Sequence, residues 1–582
     1  MKIMKTTVTI LLAGLLSVAG IKAQNLQEGI NHLYAERNKS AKETFEKLVA
    51  INPNNLDAVY WLGQSYIAME NVNSARDLYS KTLQANGNAP LILAGMGHVN
   101  LIDGKKDEAR QMFETAINLS TGKKGADVSV LNAVGRANVD AKEGDPAYAI
   151  EKLKIAAQKD SKNADVFLNL GDAYRKAHEG GQAVVTYDMA SSINPSLARA
   201  IYRKAMIYYT QKNWELFTDI LNKAVSVDPK FAPAYYELYY YNLLRLPPDF
   251  SAAQNYATKF TANAEPDPQN DYLVAQTCYA KKDYDCTINT AKGIVSKAGE
   301  QTKPRVYRLL AYAYVDKGDT TGGKQYVDQF FSKAKEEDVN PKDYILRGQI
   351  YGATTHDDKM IFDSYVKAAQ MDSVYDSKMK TLQEGVDYFK NKNNKIKEAE
   401  MRLVQSANKK TPNPSDPFFT GLAFYQGADY RRADSMFKLY QRSFPDSLYG
   451  HYYDARANLA MDTTLSVEPY LTNMINGFRR TLEIAANNKV KFKTQAVASS
   501  QFLAAIYNNT KKNKDSAVYF LSKGLEFDPE NPSLKEFMNQ LQKPGGKPTR
   551  TGNTPGKPAA STKPSAIKSS TVKNKSSALA KS

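Results

Sequence analysis

Five histidines, at positions 32, 98, 178, 356 and 451, are the side chains best suited to metal binding or to proton transfer near neutral pH. No two of them share a metal-ligand spacing such as HExxH, and none is matched to an acid, base or nucleophile in a catalytic arrangement. Gly545-Gly546-Lys547-Pro548-Thr549 has the glycines and lysine of a phosphate loop without its earlier glycine, its Lys-Ser/Thr adjacency or its strand-to-helix context. Gly95-Met96-Gly97 lacks the third glycine of a dinucleotide site. The two cysteines, Cys278 and Cys286, are eight residues apart, outside the CxxC spacing of a redox pair. These absences predict a protein that is not an enzyme and uses no metal or cofactor.

Function is therefore expected from surfaces, which leads to the elements that build them. The chain has 582 residues, 42% apolar and 24% charged, enough to fold but too long for one ordinary domain. Thirty-seven tyrosines against two tryptophans and two cysteines exclude a disulfide-stapled miniprotein or a cysteine-ligated zinc protein. The net charge of +17 is mostly terminal: residues 543–582 hold nine Lys or Arg and no acid, and the first 23 residues hold three Lys, leaving +5 for residues 24–542. A nearly neutral body gives no reason to expect nucleic acid as a partner.

Met1–Lys5 is a basic stretch, Thr6–Ile21 an apolar run, and Ile21-Lys22-Ala23 ends on a small residue before Gln24. This pattern predicts a cleavable export signal over 1–23, with an amino-terminal membrane anchor as the alternative. No cysteine follows the apolar run, so a lipoprotein cleavage site is not expected. The expected location is periplasmic or associated with the outer envelope. At the other end, residues 542–582 are rich in Lys, Pro, Ser and Thr and poor in large apolar side chains, which predicts a disordered basic tail.

Between these ends the chain carries a ruler of small residues, Gly29, Gly63, Gly97, Gly135, Gly171 and Ala205, continued by Tyr239, with steps of 34, 34, 38, 36, 34 and 34 residues. In the unit that starts at Ala164, Phe167, Leu170, Gly171, Tyr174, Ala183, Tyr187, Ala190 and Pro195 take positions 4, 7, 8, 11, 20, 24, 27 and 32. Positions 4, 7, 8 and 11 form one helical stripe and 20, 24 and 27 a second, with proline closing the second helix. The pattern resembles the tetratricopeptide repeat, and the chain is similar to exported repeat proteins of the Bacteroides group. The resemblance implies an all-α solenoid of helical hairpins, wound into a superhelix. Phe217 stands where the sixth unit should have a small residue, which predicts a splayed helix pair. Hairpins are also expected at 268–299, 304–335, 341–371, 417–444, 449–485 and 497–530. Residues 372–411 fit poorly, and the proline-rich segment 411–417 is the expected joint. The expected map is an N-terminal array over 24–265, divergent helical repeats over 266–411 and C-terminal repeats over 412–541.

In the family, the concave groove is lined mainly by first-helix positions 2, 5, 9, 12 and 13. In the sixth and seventh units this implies Tyr202, Met206, Tyr209, Tyr236, Tyr240, Leu243 and Leu244 as partner-binding residues, or as filling of a tight interior. The repeat frame sets Cys278 and Cys286 at positions 11 and 19 of one hairpin, so they read either as a disulfide or as two buried small residues. Six Asp-Ser/Thr tripeptides, at Asp319, Asp372, Asp434, Asp446, Asp462 and Asp515, resemble the O-glycosylation signal of exported proteins in the Bacteroides group, with Ser373, Ser435, Ser447 and Ser516 as first acceptors. The same pairs also suit turns and helix caps. The resulting expectation is a non-enzymatic exported scaffold for envelope proteins or peptides, acting in envelope assembly or secretion. The alternative is an envelope tether whose basic tail holds an acidic polymer or membrane surface.

Overall fold

A computed structural model describes residues 26–543. The expected export signal lies outside the described residues, as does nearly all of the expected tail; Gln542 ends the last helix and Lys543 caps it. Among the described residues the chain forms fourteen helical hairpins and one closing helix, with no strand beyond a single bridge between Gly122 and Gly125. It parts into two compact units, one up to Met371 and one from Asp372. The first unit holds ten hairpins. The second holds four and the closing helix Pro532–Gln542.

The repeat ruler corresponds to a packing rule. The small first-helix residue receives the large second-helix residue sixteen or eighteen positions later: Gly29 faces Phe45, Gly97 faces Phe113, Gly135 faces Leu153, Gly171 faces Tyr187 and Gly421 faces Phe437. A Cβ on Gly171 would stand 2.5 Å from Tyr187 Cε1, closer than any packed side chain tolerates. The seventh hairpin exchanges the two sizes. Tyr239 takes the small position and is fully buried against Ala253 and Ala257, while its hydroxyl donates to the Leu273 carbonyl at 2.9 Å.

Within many hairpins the turn puts one residue in the left-handed region, as at Glu36, Glu70, Gly104, His178, Lys212, Lys282 and Gly318. Asn or Asp then caps the second helix, with Asn71, Asn213, Asp249, Asp283 and Asp319 each accepting a hydrogen bond from a first-turn N–H.

Two readings of the sequence change. Residues 372–411 contain a complete hairpin, Tyr375–Asn391 and Lys395–Ala407, in which Gly385 and Met401 are buried at the sixteen-residue spacing. The segment 411–417 does not mark the break between the compact units and instead lies inside the second. Its prolines end one helix and start the next, but Lys409 Nζ stands 2.6 Å from Asp416 Oδ2 and Ser406 Oγ donates to the same oxygen at 3.1 Å, so stacking continues across it.

In the first unit the array turns back on itself. Glu265, beyond the seventh hairpin, accepts hydrogen bonds from the Lys39 N–H at 2.6 Å, the Ser40 N–H at 3.2 Å and Ser40 Oγ at 2.6 Å. It thereby caps the second helix of the first hairpin from 226 residues away. Arg37 reaches the Lys230 carbonyl, and Ala35 packs into the core of the sixth and seventh hairpins.

Candidate functional site

This closure decides which parts of the concave face are open. Gln64, His98, Asn132, Arg136, Asn169 and Asp172, on the first helices of the second to fifth hairpins, are all buried. Arg136 donates to Asp165 Oδ2 at 2.6 Å and to the Tyr34 hydroxyl at 2.9 Å, and its guanidinium lies 4.2 Å over the Trp61 ring. Tyr34 also donates to Asp165, and Asn132 adds a third bond to that carboxylate. Burial raises the Asp172 carboxyl, but Arg203, Arg199 and Arg175 outweigh it and hold the group below the ordinary carboxylate range. These charges are matched and enclosed, so this part of the interior binds the protein to itself.

His98 belongs to the same interior. Gln64 uses its amide N–H on the Tyr79 hydroxyl, so its carbonyl takes the Nδ1–H of His98 at 3.1 Å. Burial pushes the imidazole down to about 4, leaving a neutral core histidine. His32 accepts from Arg37 Nε, His356 Nδ1 lies 2.7 Å from the Gly352 carbonyl, and His178 sits in a turn with positive φ.

The sixth and seventh hairpins present a different surface. Tyr209, Trp214, Phe217, Tyr236, Glu237, Tyr240, Tyr241, Leu244, Arg245 and Leu246 enclose an open cleft of about 690 Å³. Four of the seven expected groove residues, Tyr209, Tyr236, Tyr240 and Leu244, meet there. Tyr202 stands next to it, donating to Glu237 at 3.4 Å. Met206 is half-buried against the core of the sixth hairpin, and Leu243, expected in the groove, is buried with Tyr239, Ala253 and Leu273.

The rest of the wall comes from residues the repeat frame does not assign to a groove. Phe217 is 1% exposed, and its ring packs 5.4 Å from Tyr209 and 6.2 Å from both Trp214 and Tyr241. A large side chain at a small position thus carries an aromatic cluster out to the surface. Leu246, 92% exposed, and Leu244, 70% exposed, stand at the lengthened turn before Pro247-Pro248. Phe217, the sequence irregularity of the sixth unit, and Leu246, next to the proline pair, both line the cleft.

The cysteines and serines lie elsewhere. Cys278 and Cys286 are joined by a disulfide, with Cα atoms 5.8 Å apart. Ser373 is exposed in the 372–374 loop, and Ser435 is exposed on a helix with its hydroxyl donating to the Arg431 carbonyl. Ser447 and Ser516 are half-buried at helix starts. Asp319 caps its helix, and Asp462 accepts from the N–H groups of Thr464, Ser466 and Val467. Among the described residues no three His, Cys, Asp or Glu side chains gather to hold a metal, and no helix is long and apolar enough to cross a membrane.

Residues 32–99 match the tetratricopeptide repeat family. Human tetratricopeptide repeat protein 6 is 27% identical over 195 residues, 33% of this chain and 36% of that protein, so the chain spans about a third of the length of the curated relative it matches. Among solved structures, a tetratricopeptide repeat protein from Parabacteroides merdae is 20% identical, with 45% of this chain and 98% of that one covered at a TM-score of 0.33. The C-terminal part of a repeat protein from Cytophaga hutchinsonii is also 20% identical, with 46% and 98% covered at a TM-score of 0.26. The match places a tetratricopeptide repeat at residues 32–99, and the repeated hairpins with their packing rule support the same repeat reading along the described chain. That fold supports a protein–protein interaction scaffold.

Proposed function

We propose that this protein is a non-enzymatic scaffold, exported to the cell envelope, that captures a peptide segment of another envelope protein in the aromatic cleft of its sixth and seventh hairpins. The cleft carries the reading: Tyr209 is 46% exposed, Trp214 42% and Leu244 70%, an apolar cluster that no part of the described chain covers. Rigid rings with polar tips give large contact area with few rotors, the composition of binding hot spots. The Met1–Ala23 pattern supports export, and envelope assembly or secretion is the process in which such a scaffold would serve.

Crosslinking in intact cells, followed by identification of the captured envelope proteins, tests this on the full chain. Changing Tyr236 and Tyr240 together to Ser should weaken capture by at least ~2 kcal/mol, roughly thirtyfold, with helicity unchanged. Capture that survives this double change but disappears when the Lys and Arg residues of 543–582 are neutralised would favour attachment through the basic tail.

A further inference from the structure

We infer that the cleft of the sixth and seventh hairpins selects a Lys or Arg side chain carried on an extended, proline- or aliphatic-rich peptide, with Glu237 as its counter-ion. This rests on the scaffold reading and adds the chemistry of the partner.

Glu237 is the one carboxylate among the lining residues, in a wall otherwise made of Tyr, Trp, Phe, Leu and Arg. Among the described residues no Lys, Arg or His nitrogen comes within 4 Å of it, and its recorded partner is the Tyr202 hydroxyl at a long 3.4 Å. Inward-facing carboxylates elsewhere in the same unit are matched: Asp165 by Arg136 at 2.6 Å, Asp172 by Arg203 at 3.4 Å and Asp343 by Arg308 at 3.4 Å. Burial, opposed by the Tyr202 hydrogen bond and reinforced by the charge of Glu36, raises the Glu237 carboxyl above its ordinary range. Both burial and the Glu36 charge would be offset by an incoming cation.

Arg245 does not fill that role. It lies eight residues further on, about 12 Å along the helix axis by the usual rise, and is exposed with its guanidinium 5.9 Å over the Tyr241 ring. The walls fit what must flank the cation. Tyr236 and Tyr240 meet edge to face at 4.8 Å, and Tyr209 and Trp214 do so at 5.7 Å, leaving ring faces for a cation or for proline and aliphatic groups. An ion pair made against such walls is less screened than one in open water.

The test uses the full chain and three synthetic peptides: acetyl-Ala-Pro-Lys-Pro-Pro-Leu-amide, the same peptide with norleucine for Lys, and the same with Glu for Lys. Trp214 is 42% exposed and Trp61 8%, so peptide-dependent emission changes report the cleft. The Lys peptide should bind saturably, about fivefold more tightly than the norleucine peptide, and the Glu peptide should be weakest. In Glu237→Gln the Lys and norleucine peptides should bind alike. Equal binding of these two peptides to the unaltered protein, or no saturation by the Lys peptide, overturns the inference without recourse to any variant. If the Tyr236/Tyr240 change abolishes cellular capture while the two peptides do not differ, the scaffold reading stands and the preference for a base fails.

Discussion

Asp454 illustrates how one buried side chain couples this fold to pH. Its carboxyl faces that of Asp434 between the helices Tyr430–Ser443 and Leu448–Met461, and Asn458 Nδ2 donates to Asp434 Oδ1 at 2.8 Å. Burial first, then the Asp434 carboxylate, pushes Asp454 up to about 8, while Lys438 and Asn458 help keep Asp434 ionised. An acid whose folded pKa exceeds its unfolded value of about 4 stabilises the fold fully below pH ~4 and loses that contribution as pH rises toward 8. Asp454→Asn should keep a donor facing Asp434 and remove the titration. The fall in melting temperature between pH 5 and 8 should therefore shrink, with a gain of at least ~1 kcal/mol at pH 8. An unchanged pH slope would refute the shared proton. The sequence drew attention to Asp434 through Ser435 beside it. Its partner twenty residues on carries no local signature, and neither does Glu237 as the one acid among rings.

Single glycines set the geometry at the scale of the helical hairpin. Tyr187 is held by its hydrogen bond to Asp172 at 2.7 Å and cannot withdraw from a Cβ placed on Gly171. Gly171→Ala should cost roughly 2–3 kcal/mol. Gly181→Ala, in the second helix of the same hairpin with nothing within 4 Å of the new Cβ, should be neutral or stabilise by up to ~1 kcal/mol. Thermal melting of the two variants separates the packing rule from helix propensity, and equal effects would contradict the rule. Most of this layer was legible in the sequence because both members of each pair lie within one short window. The hairpin of residues 375–407 escaped because Met401 replaces the ring opposite Gly385. The size exchange in the seventh hairpin was equally hidden, since Tyr239 continues the spacing while reversing the shape. The cleft was half legible: ring positions on the first helices follow from the repeat, whereas Trp214, Phe217 and Tyr241 enter through departures from it.

Across the first unit, stability is not a simple sum of neighbouring hairpins, because the first hairpin also bonds to residues 102 to 226 positions away. Glu265→Ala removes the acceptor for two backbone N–H groups and the Ser40 hydroxyl. Amide protection over Asn38–Ile51 should fall about fivefold to tenfold, the effect of losing a helix cap, while Lys395–Ala407 in the other unit keeps its protection. Undiminished protection over Asn38–Ile51 would show that the first hairpin is held by its sequence neighbour alone. None of this closure could be read from periodicity, which records neighbours and not returns. The closure also places a delay in the life of each new chain. A ribosome adding ~5–20 residues per second takes roughly 11–45 s to pass from the first hairpin's cap to the carboxylate that completes it. Throughout that interval the Lys39 and Ser40 amides must make do with solvent, and the oldest hairpin waits for the seventh before it is finished.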